Sequence, residues 1–446
     1  MGTSCSACLK EDERNERKAV ENSSVPHVQE AIVALCADVK SGQETIPTFE
    51  WKYRRYGAIE IGTTGALQLS HALLETSARI SVINLSGQGI DDEGAVAVAS
   101  SLKTNEGLRV ETLNLSKNRI TDLGAIGVVM ALKVYGHLRD VNLEDNVFGS
   151  AGFTEVCLWA EHHPSIETLA LGAVEELSEQ AVVALERVLT SSSTLRSLRI
   201  TGNNKGFTAT SLRNFFESVV GKEVALETLT LIRCVAVSAT GEPCAMSAPM
   251  RSLGRLLKND MCKLKRIELQ LPLGSKGAEL LAASLPTSTL ETLAVPWCEI
   301  GSEGIAAFAA AIKQNCSVRR LDLSHQRGVP DSMRTNESTL TNLAFSLRTN
   351  THLEVLNIIE LGMPNESAKA FAEVLESRAL PLREFRHNLV KDNALATRLG
   401  AAVRRSESPK RKVIAERLRP DDEAFTVEDD TVAHPELFDG EIEIEF

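Results

Sequence analysis

An internal repeat constrains the fold of this 446-residue chain more than any other feature. The segments VETLNLSKN, LRDVNLEDN, LRSLRITGN, LETLAVPWC and VRRLDLSHQ share one frame, L-x-x-L-x-L-x-x-N/C/Q. Units with this frame begin near Ile80, Val110, Leu138, Ile166, Leu195, Leu226, Leu264, Leu290, Val318, Leu353 and Leu382. Units that recur in this way stack and bury their apolar faces against their neighbours. We therefore predict one extended repeat domain of about eleven repeats.

Each unit predicts one short strand and one helix. The first, fourth and sixth residues of the frame are apolar and would point toward the same side. The helices carry apolar residues at i, i+3, i+4 and i+7, for example Ala95, Val98, Ala99 and Leu102. Because strand and helix alternate in every unit, we predict an α/β fold in which helices cover a parallel sheet.

The frame resembles the ribonuclease-inhibitor type of leucine-rich repeat, and the resemblance covers all eleven units. It implies a horseshoe solenoid with a parallel concave sheet and outer helices. We expect the polar residue at the ninth position of the frame to bond to backbone groups of the turn after each strand. These residues are Gln88, Asn118, Asn146, Asn203, Cys234, Cys298 and Gln326. Units with Val174, Pro272, Leu361 or Val390 at that position should have differently built turns.

The residue after the first apolar position alternates in charge from the second unit onward. It reads Glu111, Arg139, Glu167, Arg196, Glu227, Lys265, Glu291, Arg319, Glu354 and Arg383. Neighbouring strands lie about 4.8 Å apart, so the side chains would form a ladder of opposite charges along one edge of the sheet. We interpret the ladder as stabilising; a binding strip is the alternative.

Charge, cysteines and hydropathy restrict the class of protein. The formal net charge of -12 comes mostly from residues 421–446, which hold 11 acidic and no basic residues. The remainder has 49 acidic against 48 basic residues, which gives no reason to expect nucleic-acid binding. Nine scattered cysteines, no secretory signal and no long apolar run favour a reduced, cytoplasmic protein.

No motif in the sequence predicts catalysis or a cofactor. The phosphate-binding loop G-x-x-x-x-G-K-[ST], H-E-x-x-H and G-x-S-x-G do not occur. Cys5 and Cys8 form a C-x-x-C pair without a second pair at zinc-finger spacing. His162 and His163 are interpreted as a solvated turn rather than a metal site. We predict a non-enzyme with no metal and no cofactor.

The concave face is the expected place for a protein partner. Its candidate contact residues are Asn84, Asn114, Asp140, Asn142, Glu144, Arg199 and Trp297. The asparagines could instead be the usual choice of this repeat type, and Trp297 could instead pack in the core. Insertions at 235–250 and 327–339 lengthen two repeats and should project from one edge, either as partner contacts or as unattached loops.

The two ends are expected to differ from the repeat domain at 80–404. We predict a flexible arm at 1–24, a cap helix and degenerate repeat at 25–79, and a basic, then acidic disordered tail at 405–446. Removing that tail should leave the horseshoe folded, and Ser408 before Pro409 is a candidate phosphorylation site. MGTSCS fits the myristoylation pattern at Gly2, with Cys5 and Cys8 available for palmitoylation. An unmodified arm or a redox pair are the alternatives.

Together these features predict a non-catalytic scaffold, held at the cytosolic face of a membrane by its acylated end. The alternative is a GTPase-regulatory protein that acts on a small GTPase. Ran GTPase-activating proteins have the same type of repeat and an acidic tail, but their functional residues have no counterparts that we can match in this chain.

Overall fold

The computed structural model describes residues 36–37, 60–77, 79–202, 204–235, 246–314, 316–326, 336–377, 381–388, 390, 392–404 and 412–416. In these ranges twelve strands form one parallel sheet whose order follows the chain. The strands are β1 (Val82–Asn84), β2 (Thr112–Asn114), β3 (Asp140–Leu143), β4 (Thr168–Ala173), β5 (Ser197–Gly202), β6 (Thr228–Ile232), β7 (Arg266–Gln270), β8 (Thr292–Ala294), β9 (Arg320–Asp322), β10 (Val355–Asn357), β11 (Glu384–Asn388) and β12 (Lys412–Glu416).

A helix precedes β1 and another follows each of β1 to β11. The helices are α1 (Gly62–Glu75), α2 (Asp92–Thr104), α3 (Asp122–Leu132), α4 (Ser150–His162), α5 (Glu179–Ser191), α6 (Ala209–Val219), α7 (Ser247–Leu257), α8 (Gly274–Ala282), α9 (Ser302–Lys313), α10 (Glu337–Ser346), α11 (Asn365–Ser377) and α12 (Asn393–Arg404). Each helix packs beside the next one along the chain. The predicted α/β solenoid is confirmed, with one strand and one helix for each of the eleven frames.

The core lies between the sheet and the helices and is built by the frame. Val110, Leu113 and Leu115 of the second repeat are fully buried, and so is the inward stripe of α2 in the first repeat. Glycine allows neighbouring units to approach closely: a Cβ atom at Gly94 would lie 2.9 Å from the Cβ atom of Ala66. Because neighbouring units lie this close together, a thin layer of aliphatic side chains fills the core between them.

The polar ninth position bonds to the backbone of its own turn, as predicted, and it also links adjacent repeats. Asn118 accepts hydrogen bonds from two backbone N–H groups of the preceding repeat, both at 3.0 Å, and its amide donates to three carbonyl oxygens at 2.8–3.1 Å. Asn146 and Gln326 each accept one backbone N–H of the preceding repeat and donate to three carbonyl oxygens. The Cys298 thiol donates to the Leu269 carbonyl at 3.0 Å. Asn203 lies outside the described residues.

The charge ladder forms along part of the sheet edge. Five neighbouring pairs lie within 4 Å, from 2.6 Å for Arg139–Glu167 to 3.9 Å for Arg139–Glu111. Arg196 instead donates to the backbone carbonyl of Ala225 at 3.1 Å. Most of these side chains are about half exposed, so each pair contributes only a few tenths of a kcal/mol to about 1 kcal/mol.

One sequence prediction fails at the C-terminal end. The sequence predicts a disordered tail at 405–446, but residues 412–416 form β12, which pairs in parallel register with all five residues of β11. The run VIA has the β-branched character of a strand, and it follows α12 as every other strand follows a helix. None of the helices that the structure describes has the length and apolarity needed to span a lipid bilayer.

This strand changes what truncation should do. We expect deletion of residues 405–446 to expose the edge of β11 and to lower the stability of the last repeat by about 1–2 kcal/mol, because the backbone bonds of β12 are lost. Deletion of residues 417–446 should leave the melting temperature unchanged. Amide hydrogen exchange in β11 measures the difference; equal protection in both truncated proteins would contradict the role of β12.

Candidate protein-binding surface

The predicted asparagine column forms on the first three strands. Asn84, Asn114 and Asn142 are paired in register across β1, β2 and β3, and all three are partly exposed. Each side-chain oxygen accepts the backbone N–H two residues further on, at 2.9–3.1 Å. The side-chain oxygen atoms of the column therefore stabilise the ends of the strands that carry them. Asp140 lies on the same face and accepts a hydrogen bond from Thr112 at 3.1 Å.

Arg199 joins two acidic residues in the middle of the concave sheet. Its Nε donates to Glu144 Oε1 at 2.8 Å, and its Nη1 lies 3.8 Å from Glu268 Oε2. Glu144 and Glu268 are almost fully buried, whereas a quarter of the Arg199 side chain is exposed. We call Glu144, Arg199 and Glu268 the charged clasp.

Small neighbours allow the clasp to span five strands. Arg199 on β5 is flanked in register by Ala170 on β4 and Thr230 on β6. Glu144 follows β3 and Glu268 lies on β7, so each acid is two strands away from the guanidinium. Short side chains on β4 and β6 leave the space through which the arginine reaches both carboxylates.

The clasp carries an excess of negative charge. Burial raises the pKa of Glu268, the Arg199 guanidinium opposes that rise, and the Asp322 and Glu144 carboxylates add to it. Glu268 Oε2 is buried and makes no hydrogen bond within the described part of the chain, since 3.8 Å to Arg199 is too long for one. Arg199 thus lies between two carboxylates, and a third carboxylate, that of Asp322, is close enough to Glu268 to raise its pKa.

A second surface feature lies at the edge of the sheet. The eighth position of the frame adopts the left-handed conformation in several repeats, at Gly87, Lys117, Asp145, Arg233, Trp297, His325 and Glu360. The Trp297 and His325 rings stack at 4.8 Å with an interplanar angle of 1°, and His325 Nδ1 lies 3.2 Å from Glu360 Oε2. Trp297 is 43% exposed, so it lies on the surface rather than in the core. We call Trp297, His325 and Glu360 the edge row.

Sequence reasoning missed several parts of this surface. Glu268 occupies the fifth frame position, as Arg199 does, and a comparison of that position across all repeats would have found it. The left-handed turn position was signalled by Gly87. Of the two histidines assigned to a solvated turn, His162 is exposed, but His163 is buried and its Nε2 lies 3.1 Å from the Tyr135 carbonyl oxygen.

Other predicted sites cannot be placed on this surface. Gly2, Cys5, Cys8 and Ser408 lie outside the described residues, as do most of the two insertions. Within the described ranges, no three His, Cys, Asp or Glu side chains converge on a position that could hold a metal ion. Burial raises the pKa of the Cys234 thiol to about 12, and the Cys298 thiol also has a raised pKa, so both are poor nucleophiles.

Comparisons with solved structures give weak overlaps. A chain of the yeast Rad7–Elc1 complex aligns with a TM-score of 0.47 and 12% identity, covering 93% of this chain and 99% of that chain. Leiomodin-1 actin-binding site 2 aligns with a TM-score of 0.28 and 20% identity, covering 35% of this chain and 87% of that chain.

Sequence comparisons give closer matches. The family profile described as Leucine Rich repeat matches residues 110–129 and 288–309. Ribonuclease inhibitor from Sus scrofa is 31% identical over 194 residues, and that from Mus musculus is 27% identical over 194 residues. Each alignment covers 42% of this chain and spans 39% of the inhibitor's length. With the recurrent frame and the parallel sheet, these matches support a leucine-rich repeat protein that is similar to the ribonuclease inhibitors.

Proposed function

We propose that this chain is a non-catalytic scaffold that binds a protein partner on its concave sheet. The charged clasp is the observation that carries the proposal. Its buried carboxylates hold Arg199 in one geometry before any partner arrives, and a preorganised surface loses less entropy on binding. The excess of carboxylates favours a partner that presents cationic groups to the middle of the sheet.

The first partner to test follows from the comparisons. The matched relatives are named ribonuclease inhibitors, but the match spans well under half of their length, so a ribonuclease is a candidate only. Calorimetric titration of the full chain with a ribonuclease tests it directly.

In parallel, proximity labelling in the protein's own cells should recover partners with the wild type and lose them with Glu144→Gln plus Glu268→Gln. The helix residues Glu303, which is exposed, and Glu373, which is partly exposed, are changed to Gln as the matched control.

Trp297 should act as an aromatic anchor for that partner. We expect Trp297→Gly to weaken binding at least tenfold, because a large exposed ring at a binding surface contributes strongly to affinity. The same change should not destabilise the fold, since glycine accepts a left-handed backbone that costs tryptophan about 1 kcal/mol or more. Calorimetry with the recovered partner and thermal unfolding measure the two effects. Unchanged affinity would exclude the anchor.

We further propose that acylation tethers the scaffold to a membrane. The motif at Gly2 supports this proposal, and Cys5 and Cys8 lie close enough to the acylated end for palmitoylation. One myristoyl chain gives only reversible binding, so a second signal is required for stable attachment. We expect Gly2→Ala to move the protein from the membrane fraction to the cytosol, and Cys5→Ser with Cys8→Ser to leave weak, washable binding. Wild-type protein without acyl mass would contradict the tether.

Two further proposals have separate tests. Phosphorylation of Ser408 would oppose the positive charge of the basic segment around it, and phosphoproteomic mass spectrometry detects it.

Regulation of a small GTPase is the alternative function. Strong acceleration of hydrolysis in a single-turnover assay with GTP-loaded Ran would replace the scaffold proposal.

A further inference from the structure

The outer face of helix α3 is apolar and uncovered. Leu123, Met130 and Val134 are 77%, 61% and 73% exposed, respectively. They follow one another at i, i+7 and i+11, so they lie along one side of the helix and its C-terminal extension over about 16 Å. The inward side is also apolar, with Val128 and Leu132 fully buried. A helix that is apolar on every side normally has a partner on every side.

The patch extends beyond α3 itself. Val147, more than half exposed, bonds through its backbone N–H to the Ile120 carbonyl at 3.0 Å, which places it beside the start of α3. At the middle of the helix Gly127 has no side chain, and the Val96 side chain of α2 packs over it. We call Leu123, Met130, Val134 and Val147 the α3 patch.

The other outer helices have no comparable feature in the part of the chain that the structure describes. Val183 on α5 and Phe345 on α10 are single exposed apolar residues, and Arg348 lies over the Phe345 ring at 4.5 Å. Contiguous apolar surface of this kind on a monomer marks an interaction site rather than ordinary surface composition.

The charges around the patch are compatible with an anionic surface. The helix-start acids Asp92 and Asp122 already accept hydrogen bonds from the backbone of the next repeat, at 2.6–2.9 Å. Lys103 and Lys133 are exposed where the neighbouring helices α2 and α3 end, and Lys133 directly precedes Val134. The end of the patch therefore combines aliphatic side chains with lysines, which is the composition of a peripheral membrane contact.

The patch also lies near the N-terminal end of the solenoid. Cys36 packs against the core, and α1, α2 and α3 pack side by side. Two helix spacings of about 10 Å each separate α1 from α3. Residues 9–35 connect the acylation motif to Cys36, and a chain of that length can extend over several tens of Å. A lipid surface held at Gly2 is therefore within reach of α3.

We propose that the α3 patch is a second membrane contact, which docks the N-terminal repeats on an anionic lipid surface. This inference rests on the membrane tether proposed above, and it supplies a contact that a single acyl chain lacks. Its side chains are 56–77% exposed on the outer side of the helices, where they can enter a deformable lipid surface. The concave sheet, on the opposite side of the repeats, stays accessible to its partner.

Vesicle binding tests the proposal with the full chain, produced with and without N-myristoyltransferase. Vesicles of phosphatidylcholine and phosphatidylserine at about 70:30 serve as the probe, since anionic lipid attracts lysine. The patch variant carries Leu123→Gln, Met130→Gln and Val134→Thr, and the matched control carries Val183→Thr and Phe345→Gln. We expect the patch variant to lose about tenfold or more in lipid partitioning, because three protruding aliphatic groups no longer enter the bilayer surface. The control should partition as the wild type does.

The outcomes separate the two proposals. If Gly2→Ala abolishes binding while the patch variant partitions as the wild type does, the patch proposal is wrong and the tether stands. The wild type made without the transferase can still bind vesicles weakly. If the patch variant made in the same way does not bind, the patch proposal stands without the tether. Sedimentation equilibrium covers the remaining case. A wild-type dimer that the patch variant converts to a monomer with unchanged lipid partitioning would make the patch a self-association surface and overturn the proposal.

Discussion

Replacement of Arg199 by methionine should lower the free energy of unfolding by about 3 kcal/mol at pH 7, because it leaves buried carboxylates without their cation. Glu144 and Glu268 are both almost fully buried, and Arg199 is the guanidinium that lies between them. Methionine has a similar length and keeps most of the packing of the arginine stem. Urea unfolding followed by circular dichroism measures the loss.

The loss should depend on pH in a defined direction. The pKa of Glu268 is already raised by burial, and Arg199 limits the rise. Without the guanidinium, the pKa of Glu268 should rise further in the folded state. A carboxyl whose folded-state pKa is raised contributes stability that is present at low pH and is lost as pH rises through that pKa. We therefore expect the deficit of the variant to be smallest at and below pH 4.5, the ordinary pKa of a glutamate, and to widen toward pH 7.

A triple variant separates stability from function. Glu144→Gln, Arg199→Met and Glu268→Leu remove all the charges of the clasp together, and such replacements of buried ion networks are often neutral for stability. The triple variant should recover most of the lost stability and still fail to bind the partner. A single Arg199→Met variant as stable as the wild type at every pH would contradict the energetic role of the clasp.

Asn118→Ala should also cost about 3 kcal/mol or more, because it leaves several buried backbone groups of two repeats without partners. Asn118 is buried, and its amide satisfies two N–H groups and three carbonyl groups. The damage should appear first as faster hydrogen exchange in the turns after β1 and β2. Thermal unfolding gives the total effect.

The residue beside Asn118 provides a matched control. Lys117 is exposed and has a φ of 56°, so Lys117→Gly relieves left-handed strain in the same turn. This variant should be at least as stable as the wild type. If Asn118→Ala and Lys117→Gly had equal small effects, the side-chain bonds of Asn118 would not be what joins the repeats.

The repeat frame predicted the strands and helices because its signal is periodic and local. The apolar residues Val110, Leu113 and Leu115 determine which side of the strand is buried. The inward face of the helix is determined by its apolar stripe, Ala95, Val98, Ala99 and Leu102. The ninth position could be interpreted for the same reason, since Asn118 acts within its own turn and on the repeat beside it.

The missed features depend on distant or outward-facing residues. The charged clasp joins strands that are two repeats apart and needs short residues on the strands between them, which no single frame reveals. Strand β12 has no leucine frame, and its short β-branched run becomes recognisable as a further strand of the sheet through its pairing with β11. The inward stripes also carry no information about the outer side of α3, where Leu123 and Met130 are exposed.

Site-specific photo-crosslinking in the protein's own cells tests the central claim most directly. A benzophenone amino acid would replace Arg266, an exposed residue of β7 on the same face as Glu268, or Lys276, an exposed residue of α8 in the same repeat. We predict a discrete crosslinked protein from position 266 that disappears with Trp297→Gly, and no such product from position 276. Equal crosslinking from both positions, or a product from position 276 alone, would contradict binding on the concave sheet.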